Sequence, residues 1–570
     1  MKTARRIGAF FRSVGAVAIV FATTAAAAKS PEPPAKKPKL LVILAVDQMR
    51  ADYVATYGGA WHEGLDRLLR GGVVFDGARY PYLDTITCAG HSTIGTGAYP
   101  HRHGMVLNAW WGRDRGRGVE CTEDPDAPLV AYGAGKPMGG GQSGRNIKVP
   151  TFAQVLRDAE ATADPKPHVV SFSAKARSAI GLAGAGGDVV AWFDGKEFVT
   201  SRAFSAAPIP VVEKTLAAHP AKALVANPWL KFAPPAAYRF ADDAPAEHPS
   251  MPFWTRVFPH ALALPIAGRP ETASLPPLVA WSASALPDEL LADLAKNAVI
   301  ELKLGQRATT DFLAVSFSQL DIVGHAFGPR SHEVQDVLLR LDRLLGDLLN
   351  TLDQTVGKDN YLVALTADHG VSEIPEQLTA EHKDAGRVPK QDLLAKLEFA
   401  LAAEIGPGPH VDNITYTQIY LKPPSWQELR AKPGAVDRVC AVVKKVPGIL
   451  ACFSADELVD PAKTHDPVAR AAALSYFPGR SGDLVTAPRA HWLNDALAGT
   501  THGSQNDYDQ RVPLVFYGSG LRGRHVGGAA SPADIAPTFA AVMGLPLPDA
   551  EGRARSEVVA PLQAARNIHR

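Results

Sequence analysis

Six side chains able to ligate a metal and one hydroxyl stand out in this 570-residue sequence because of what precedes them. The apolar run Leu40 to Val46 ends in Asp47. Phe312 to Phe317 runs into Ser318-Gln319-Leu320-Asp321-Ile322-Val323-Gly324-His325, and Tyr361 to Thr366 into Ala367-Asp368-His369-Gly370. A fourth run, Val512 to Tyr517, is preceded by Thr501-His502-Gly503. Asp321 and His325 are four residues apart, so a helical turn sets both on one face as a chelating pair. Adjacent Asp368 and His369 point in different directions, which suits two ions better than one. Oxygen and nitrogen donors without thiolates favour zinc over manganese, iron or calcium. The hydroxyl belongs to Thr87, which leads into the Ala/Gly-rich segment Cys88 to Gly97. Such a segment predicts a helix packed close on a sheet. At its start the Thr87 oxygen would lie where backbone N–H groups and the positive helix end favour a phosphate, and a nearby metal ion would lower its pKa towards an alkoxide. On local sequence alone the same residue also reads as an ordinary helix-capping threonine.

The elements that must position these residues follow from patterning. Leu40 to Val46 is continuously apolar, as a strand buried on both faces would be. Between the runs at Phe312 and Tyr361, His332 to Leu352 carries leucines and valines at helical spacing. Strand, helix, strand implies a right-handed crossover in a parallel sheet, hence a three-layer α/β/α core, with reacting groups collected at the carboxyl ends of strands. The region 112–285, rich in Gly, Pro and Ala, reads as cap-forming insertions, and 375–498 as a small α+β insertion. The catalytic domain is expected over 40–550, with 551–570 as a tail.

The arrangement resembles the alkaline phosphatase superfamily, and more narrowly its threonine-nucleophile periplasmic phosphatases. The resemblance runs through Asp47, the T-x-T-C-A-G-H motif with Thr87, D-x-x-x-H at Asp321 and His325, TADHG at Asp368 and His369, and THG at His502. It implies one zinc held by Asp321, His325 and His502, and a second held by Asp47, Asp368, His369 and the Thr87 oxygen. It further implies that Asn108 hydrogen-bonds a phosphoryl oxygen and that Lys175 and Arg177, after the strand-like His168 to Phe172, are directed at the phosphate. A monoester presents more non-bridging charge than a diester, so two cationic donors favour the monoester. The implied activity is hydrolysis of phosphate monoesters through a phosphothreonine, releasing inorganic phosphate. Phosphodiesterases and nucleotide pyrophosphatases of the same fold share the threonine, the asparagine and the six ligands, and stand as the alternative; a non-catalytic metal- or phosphate-binding protein is a third reading. Cys88-Ala89-Gly90-His91 lacks the Pro and Arg of the sulfatase motif. His91, His101 and His103 are assigned supporting or packing roles, because the ligand set is already full.

Composition sets the frame. With 59 Lys+Arg against 58 Asp+Glu there is no excess of basic charge for a nucleic-acid polymer. Lys2, Arg5, Arg6 and Arg12, the apolar run Val14 to Ala22 and the alanines before Lys29 read as a cleavable export signal over 1–28. A Pro/Lys tether at 29–39 follows. The expected location is periplasmic or secreted, without a stable membrane anchor once the signal is cleaved, since the apolar run is shorter than the roughly 20 residues of a spanning helix. Four cysteines in an exported chain permit disulfides, and local pairing gives Cys88 with Cys121 and Cys440 with Cys452.

Overall fold

The computed structural model describes residues 37–133, 137, 139–263, 278–494 and 497–567. The export signal, 1–28, lies outside them. Ten strands form the central sheet: β1 (Leu40–Val46), β2 (Val73–Ala78), β3 (Leu129–Ala131), β4 (Val169–Ser173), β5 (Val189–Phe193), β6 (Phe198–Ser201), β7 (Asp311–Phe317), β8 (Tyr361–Thr366) and, after the insertion described below, β13 (Leu514–Gly518) and β14 (Arg524–Ala530). Their order is β14-β2-β13-β8-β1-β7-β4-β5-β6-β3. The middle of the sheet, β8-β1-β7-β4-β5, is parallel throughout. β13 runs antiparallel to both β8 and β2, so the run at Val512 enters the sheet against the direction of its neighbours.

Alternation along β1 explains its uninterrupted apolar sequence. Leu40, Val42, Leu44 and Val46 face one core and Leu41, Ile43 and Ala45 the other. A strand covered by helices on both faces has no polar side to show. Helices α1 (Thr87–Thr96) and α2 (Ala176–Ala183) lie on the second face with α8 (Ile535–Met543) and α9 (Ser556–Asn567); α3 (Pro287–Glu301), α4 (Gln319–Phe327) and α5 (His332–Thr355) lie on the first. The layering is the three-layer α/β/α expected, and mainly parallel.

Three details depart from the patterning. Residues 112–285 supply β3 to β6, four strands of the central sheet, rather than caps alone. They are three to five residues long and separated by Gly- and Pro-containing connections, so that, apart from the strand-like His168 to Phe172, no window carries enough period to announce a sheet. Residues 551–567 include α9, which buries Val558 and Leu562 in the core, so this segment packs as an element rather than a tail. At the other end Lys39 already donates its backbone N–H to Asn360 at 2.6 Å, within the segment read as tether.

The second insertion is α+β, as expected. Strands β9 (Val411–Thr415), β10 (Gln418–Leu421), β11 (Ile449–Ser454) and β12 (Leu484–Pro488) form a sheet in the order β9-β10-β12-β11, backed by α6 (Lys390–Ile405) and α7 (Ala435–Val443) around their own core. Both disulfides of the local pairing are formed: Cys88–Cys121 and, joining α7 to β11, Cys440–Cys452. No helix among the described residues is long and apolar enough to cross a membrane.

Candidate metal centre and phosphate site

The four groups of residues meet at the carboxyl edge of the parallel strands. Asp47 follows β1, Asp368 and His369 follow β8, and α4, entered directly from β7, presents Asp321 and His325 one turn apart. His502 arrives from the connection before β13. That connection is anchored on the same rim, because Thr500 donates its N–H to His325 O and Ser372 its N–H to Thr501 O. The ligand atoms of Asp47, Asp368 and His369 lie within 4.8 Å of one another, as do those of Asp321, His369 and His502. His325 Nε2 stands 3.2 Å from Asp321 Oδ1.

Thr87 is the first residue of α1, and its Oγ1 lies 3.3 Å from His369 Nε2. The approach depends on Gly90, where a Cβ would stand 2.3 Å from the Asp368 carbonyl oxygen. Only a residue without a side chain lets this helix sit so close to the end of β8. Asn108 follows the loop after Pro100–His103, and its Oδ1 accepts the Cys88 N–H at 3.0 Å. Lys175 precedes α2 and Arg177 is its second residue. Both are therefore placed by β4, a strand of the central sheet. Lys175 Nζ donates to Asp47 Oδ2 at 2.6 Å and to Asp321 Oδ2 at 2.5 Å, and Arg177, close enough to disfavour charge on Lys175, has a buried Nε that finds no acceptor.

Electrostatically the centre is a concentration of buried charge. Burial, reinforced by Asp321 and Asp368, pushes the Asp47 carboxyl up to about 7 despite Lys175 and His369. Burial would also raise Asp321 and Asp368, but His325 with Lys175 at one, and His369 with His91 at the other, outweigh it and hold both well below the ordinary carboxylate range. Burial disfavours a charged His369, yet Asp368, Asp47 and Asp321 carry its pKa to about 9. His502, stacked on His369 with ring centroids 3.4 Å apart, is held well below its usual value by burial and by the His369 charge.

Two observations test whether these residues suit metal ions. Asp47 Oδ1 and Asp368 Oδ2 are buried without a well-formed hydrogen bond and face the His369 Nε2 at 3.5 and 3.1 Å, Asp368 Oδ2 also the His91 Nδ1 at 3.2 Å, so these oxygens call for a cation, an imidazolium or a metal ion. Each histidine has its Nδ1 against a backbone carbonyl: His325 with Thr500 at 2.8 Å, His369 with Gly370 at 3.0 Å and His502 with Thr85 at 2.7 Å. An Nδ1–H donated to a carbonyl leaves Nε2 as the lone-pair nitrogen, and all three Nε2 atoms face the carboxylates. The donor set fits divalent ions bound by imidazole and carboxylate.

Other residues support the centre, and two of them, Gln48 and Arg480, carry no signal in the sequence. Gln48, at φ +70°, gives its backbone N–H to Asp368 and its side-chain amide to Asp321 at 2.7 Å, so one residue orients a carboxylate from each half of the centre. His91 is wholly buried, with Nδ1 2.9 Å from the Thr87 carbonyl and Nε2 2.8 Å from Ser316 Oγ. Its supporting role matches the reading of the surplus histidines. Arg480 reaches over from the α+β insertion, donates to the Gly104 and Asn146 carbonyls and stacks on Trp110 with 4.4 Å between guanidinium carbon and ring centroid. Only folding brings residue 480 to residue 104.

A mainly parallel three-layer sheet with a buried Asp/His cluster at its carboxyl edge, beside a threonine at a helix start, defines the alkaline phosphatase superfamily. Within it, the family model of the type I phosphodiesterase / nucleotide pyrophosphatase matches residues 41–509, and the chain belongs to that family. It is 31% identical over 532 residues to alkaline phosphatase PafA of Elizabethkingia meningoseptica, covering 92% of this chain and 95% of that protein. It is 31% identical over 526 residues to alkaline phosphatase PhoV of Synechococcus elongatus, covering 90% and 91%. The crystal structure of wild-type PafA superposes with a TM-score of 0.81 at 29% identity, over 92% of this chain and 99% of that one.

Proposed function

We propose that this protein is an exported phosphate monoesterase that works through a phosphothreonine at Thr87, with two zinc ions held by Asp321, His325 and His502 and by Asp47, Asp368, His369 and the Thr87 oxygen. That it is a phosphoester hydrolase rests on the family and on its phosphatase relatives. The observation that carries the finer reading is the placing of one hydroxyl against a buried ligand cluster: Thr87 Oγ1 opens a helix, 3.3 Å from His369 Nε2.

In this reading Thr87 Oγ1 bonds to phosphorus in line while the bond from phosphorus to the ester oxygen breaks on the opposite side, and the proton given up by the threonine hydroxyl is balanced by one taken up by the departing alcohol. Water then hydrolyses the phosphothreonine, releasing inorganic phosphate and restoring the hydroxyl. The bound ions supply charge for the phosphoryl oxygens and lower the pKa of coordinated hydroxyls. The helix start adds backbone N–H groups aimed at the same anion. Asn108 Nδ2, Lys175 and Arg177 hold the transferring group through a loose transition state, in which positioning and charge do most of the work. Lys175 compensates Asp47 and Asp321 where a divalent ion would otherwise do so. Were ions held on those carboxylates, the Lys175 ammonium would be free to donate to a phosphoryl oxygen.

The family's own description keeps phosphodiester cleavage as the second reading. Lys175 and Arg177 separate the two. In the Lys175→Ala plus Arg177→Ala protein, kcat/KM for an aryl phosphate monoester is expected to fall by on the order of 10²- to 10³-fold. The bis-aryl diester, with one fewer charged oxygen to hold, should lose less than about tenfold. Steady-state rates on both esters, taken before and after chelation and zinc restoration, check this. A wild-type preference for the diester, with indifference to the two substitutions, would establish the diesterase instead.

A further inference from the structure

We infer that the Cys88–Cys121 disulfide is a positioning device for Asn108, and that it sets which way the asparagine amide points. Both half-cystines hydrogen-bond this one residue. The Cys88 N–H donates to Asn108 Oδ1 at 3.0 Å, and the Cys121 N–H donates to the Asn108 main-chain carbonyl at 2.9 Å. Their sulfurs are joined, and both residues are buried. Asn108 is thus gripped at its side chain from one end of the bridge and at its backbone from the other.

The grip has a chemical consequence. Of the two heteroatoms of an asparagine amide only Oδ1 accepts, so the Cys88 N–H fixes the amide with Oδ1 inward and Nδ2 outward. Nδ2 donates to no protein group among the described residues, and Cys88 is the neighbour of Thr87 in the chain. The outward donor is therefore held at a fixed offset from the nucleophile. Burial of Met105, Val106 and Leu107 and the stacking of Arg480 on Trp110 hold the surrounding chain, but among the described residues the Cys88 N–H is the one hydrogen-bond partner of the Asn108 amide. Residues 104–108 belong to no helix or strand, and a two-stranded hairpin, Ala109–Gly112 paired with Arg117–Glu120, begins at the next residue. The disulfide spans 33 residues and ties the far end of this hairpin back to α1. Once it is opened, the two N–H groups are no longer bound to move together, and the amide can rotate away from its productive orientation.

This inference rests on the reading of Asn108 as a phosphoryl donor, and a double-mutant cycle keeps the two apart. Three variants of the zinc-loaded mature chain are needed: Asn108→Ala, Cys88→Ala plus Cys121→Ala, and all three changes together. Asn108→Ala is expected to lower kcat/KM for an aryl phosphate monoester by about 10²-fold. Losing the bridge should cost about tenfold through misplacement. In the Asn108→Ala background, bridge removal should cost nothing more. The same factor in both backgrounds would show that the bridge only supports the fold, and would overturn the inference while leaving the donor reading intact. No effect of bridge removal in the wild-type background overturns it as well. An Asn108→Ala protein of undiminished kcat/KM sinks the donor reading, and this inference with it. Should the alanine pair not fold, Cys88→Ser plus Cys121→Ser, closer in size to the lost sulfurs, is placed in the wild-type and Asn108→Ala backgrounds and the same outcomes are read.

Discussion

Thr87→Ala is expected to lower turnover of an aryl phosphate monoester by on the order of 10⁴- to 10⁶-fold, the scale seen when a covalent nucleophile is removed from an intact site. The size follows from what alanine leaves behind. The ligands remain, the helix start still offers its N–H groups, and Asn108, Lys175 and Arg177 still bind the phosphate. Only the oxygen that must bond to phosphorus is gone. Binding without a nucleophile lowers KM but does not raise kcat. Zinc content should hold near wild type, since the six other ligands are unchanged, and inorganic phosphate should still bind. The variant should also yield no acid-stable phosphoprotein when incubated with radiolabelled phosphate ester, whereas wild type quenched in acid should. Full activity in Thr87→Ala would end the nucleophile assignment, and a loss of bound zinc would show that Thr87 acts first as a ligand. Thr87→Ser separates the hydroxyl from its methyl group. It keeps the oxygen, and should retain activity within about a hundredfold of wild type, because a freer rotamer costs alignment but not chemistry.

What could be read from the sequence divides along a physical line. Asp47, Asp321, His325, Asp368 and His369 are legible because each stands at or just beyond the end of a buried apolar strand, and parallel-sheet topology delivers such ends to one edge. The strands themselves are legible because a strand covered on both faces is apolar nearly throughout, wholly so in β1 and apart from Asp311, Ser316 and Thr366 in β7 and β8. His502 is harder. It precedes a strand that runs antiparallel, and its place depends on the long-range bonds of Thr500 and Thr501 rather than on any strand end. Of the four strands between residues 129 and 201, the one at Val169–Ser173 was legible as strand-like His168 to Phe172, and the other three escaped because each is three to five residues long, too short to show a period. Lys175 and Arg177 were legible as a pair, but not as belonging to the core sheet. Gln48 and Arg480 could not have been found. Gln48 acts through a left-handed backbone that turns its amide onto Asp321, and Arg480 through an approach of two segments more than 370 residues apart.

Stripping the metal is expected to abolish activity, by at least about 10³-fold, with recovery on adding zinc, and to destabilise the protein increasingly as pH rises. The fall in stability above neutral pH is led by two groups. In the metal-free centre the Asp47 carboxyl titrates at about 7, against 3.8 in an unfolded chain. A raised folded pKa means that the native state holds this proton more tightly. Its contribution to stability is therefore complete below about pH 4 and is lost as pH rises through 7. His369, raised from 6.5 to about 9, acts in the same sense in the window above: its contribution is complete below 6.5 and lost through 9. Asp321 and Asp368, held well below 3.8, are ionised throughout and add nothing to the change between pH 5 and 9. His502, held well below 6.5, acts in the opposite sense below about pH 6.5 and not above it, so the stripped protein should melt at steadily lower temperature from pH 7 to 9. Other buried acids, Asp84 and Asp509 at about 7 and Asp288 at about 8, push the same way whether or not metal is bound, so the stripped protein alone does not isolate the centre. The difference between loaded and stripped protein does, because these common contributions cancel. Ions bind the deprotonated carboxylates and the neutral imidazoles, so their hold strengthens over the range in which the stripped centre weakens. At a thousandfold excess over Kd a bound ion adds about 4 kcal/mol. The Tm gap between zinc-loaded and stripped protein, measured by calorimetry at pH 5, 7 and 9, should widen at each step. A gap that stayed constant or narrowed would mean that Asp47 and His369 do not share their charge with the metal, and the two-ion assignment built on them would fall.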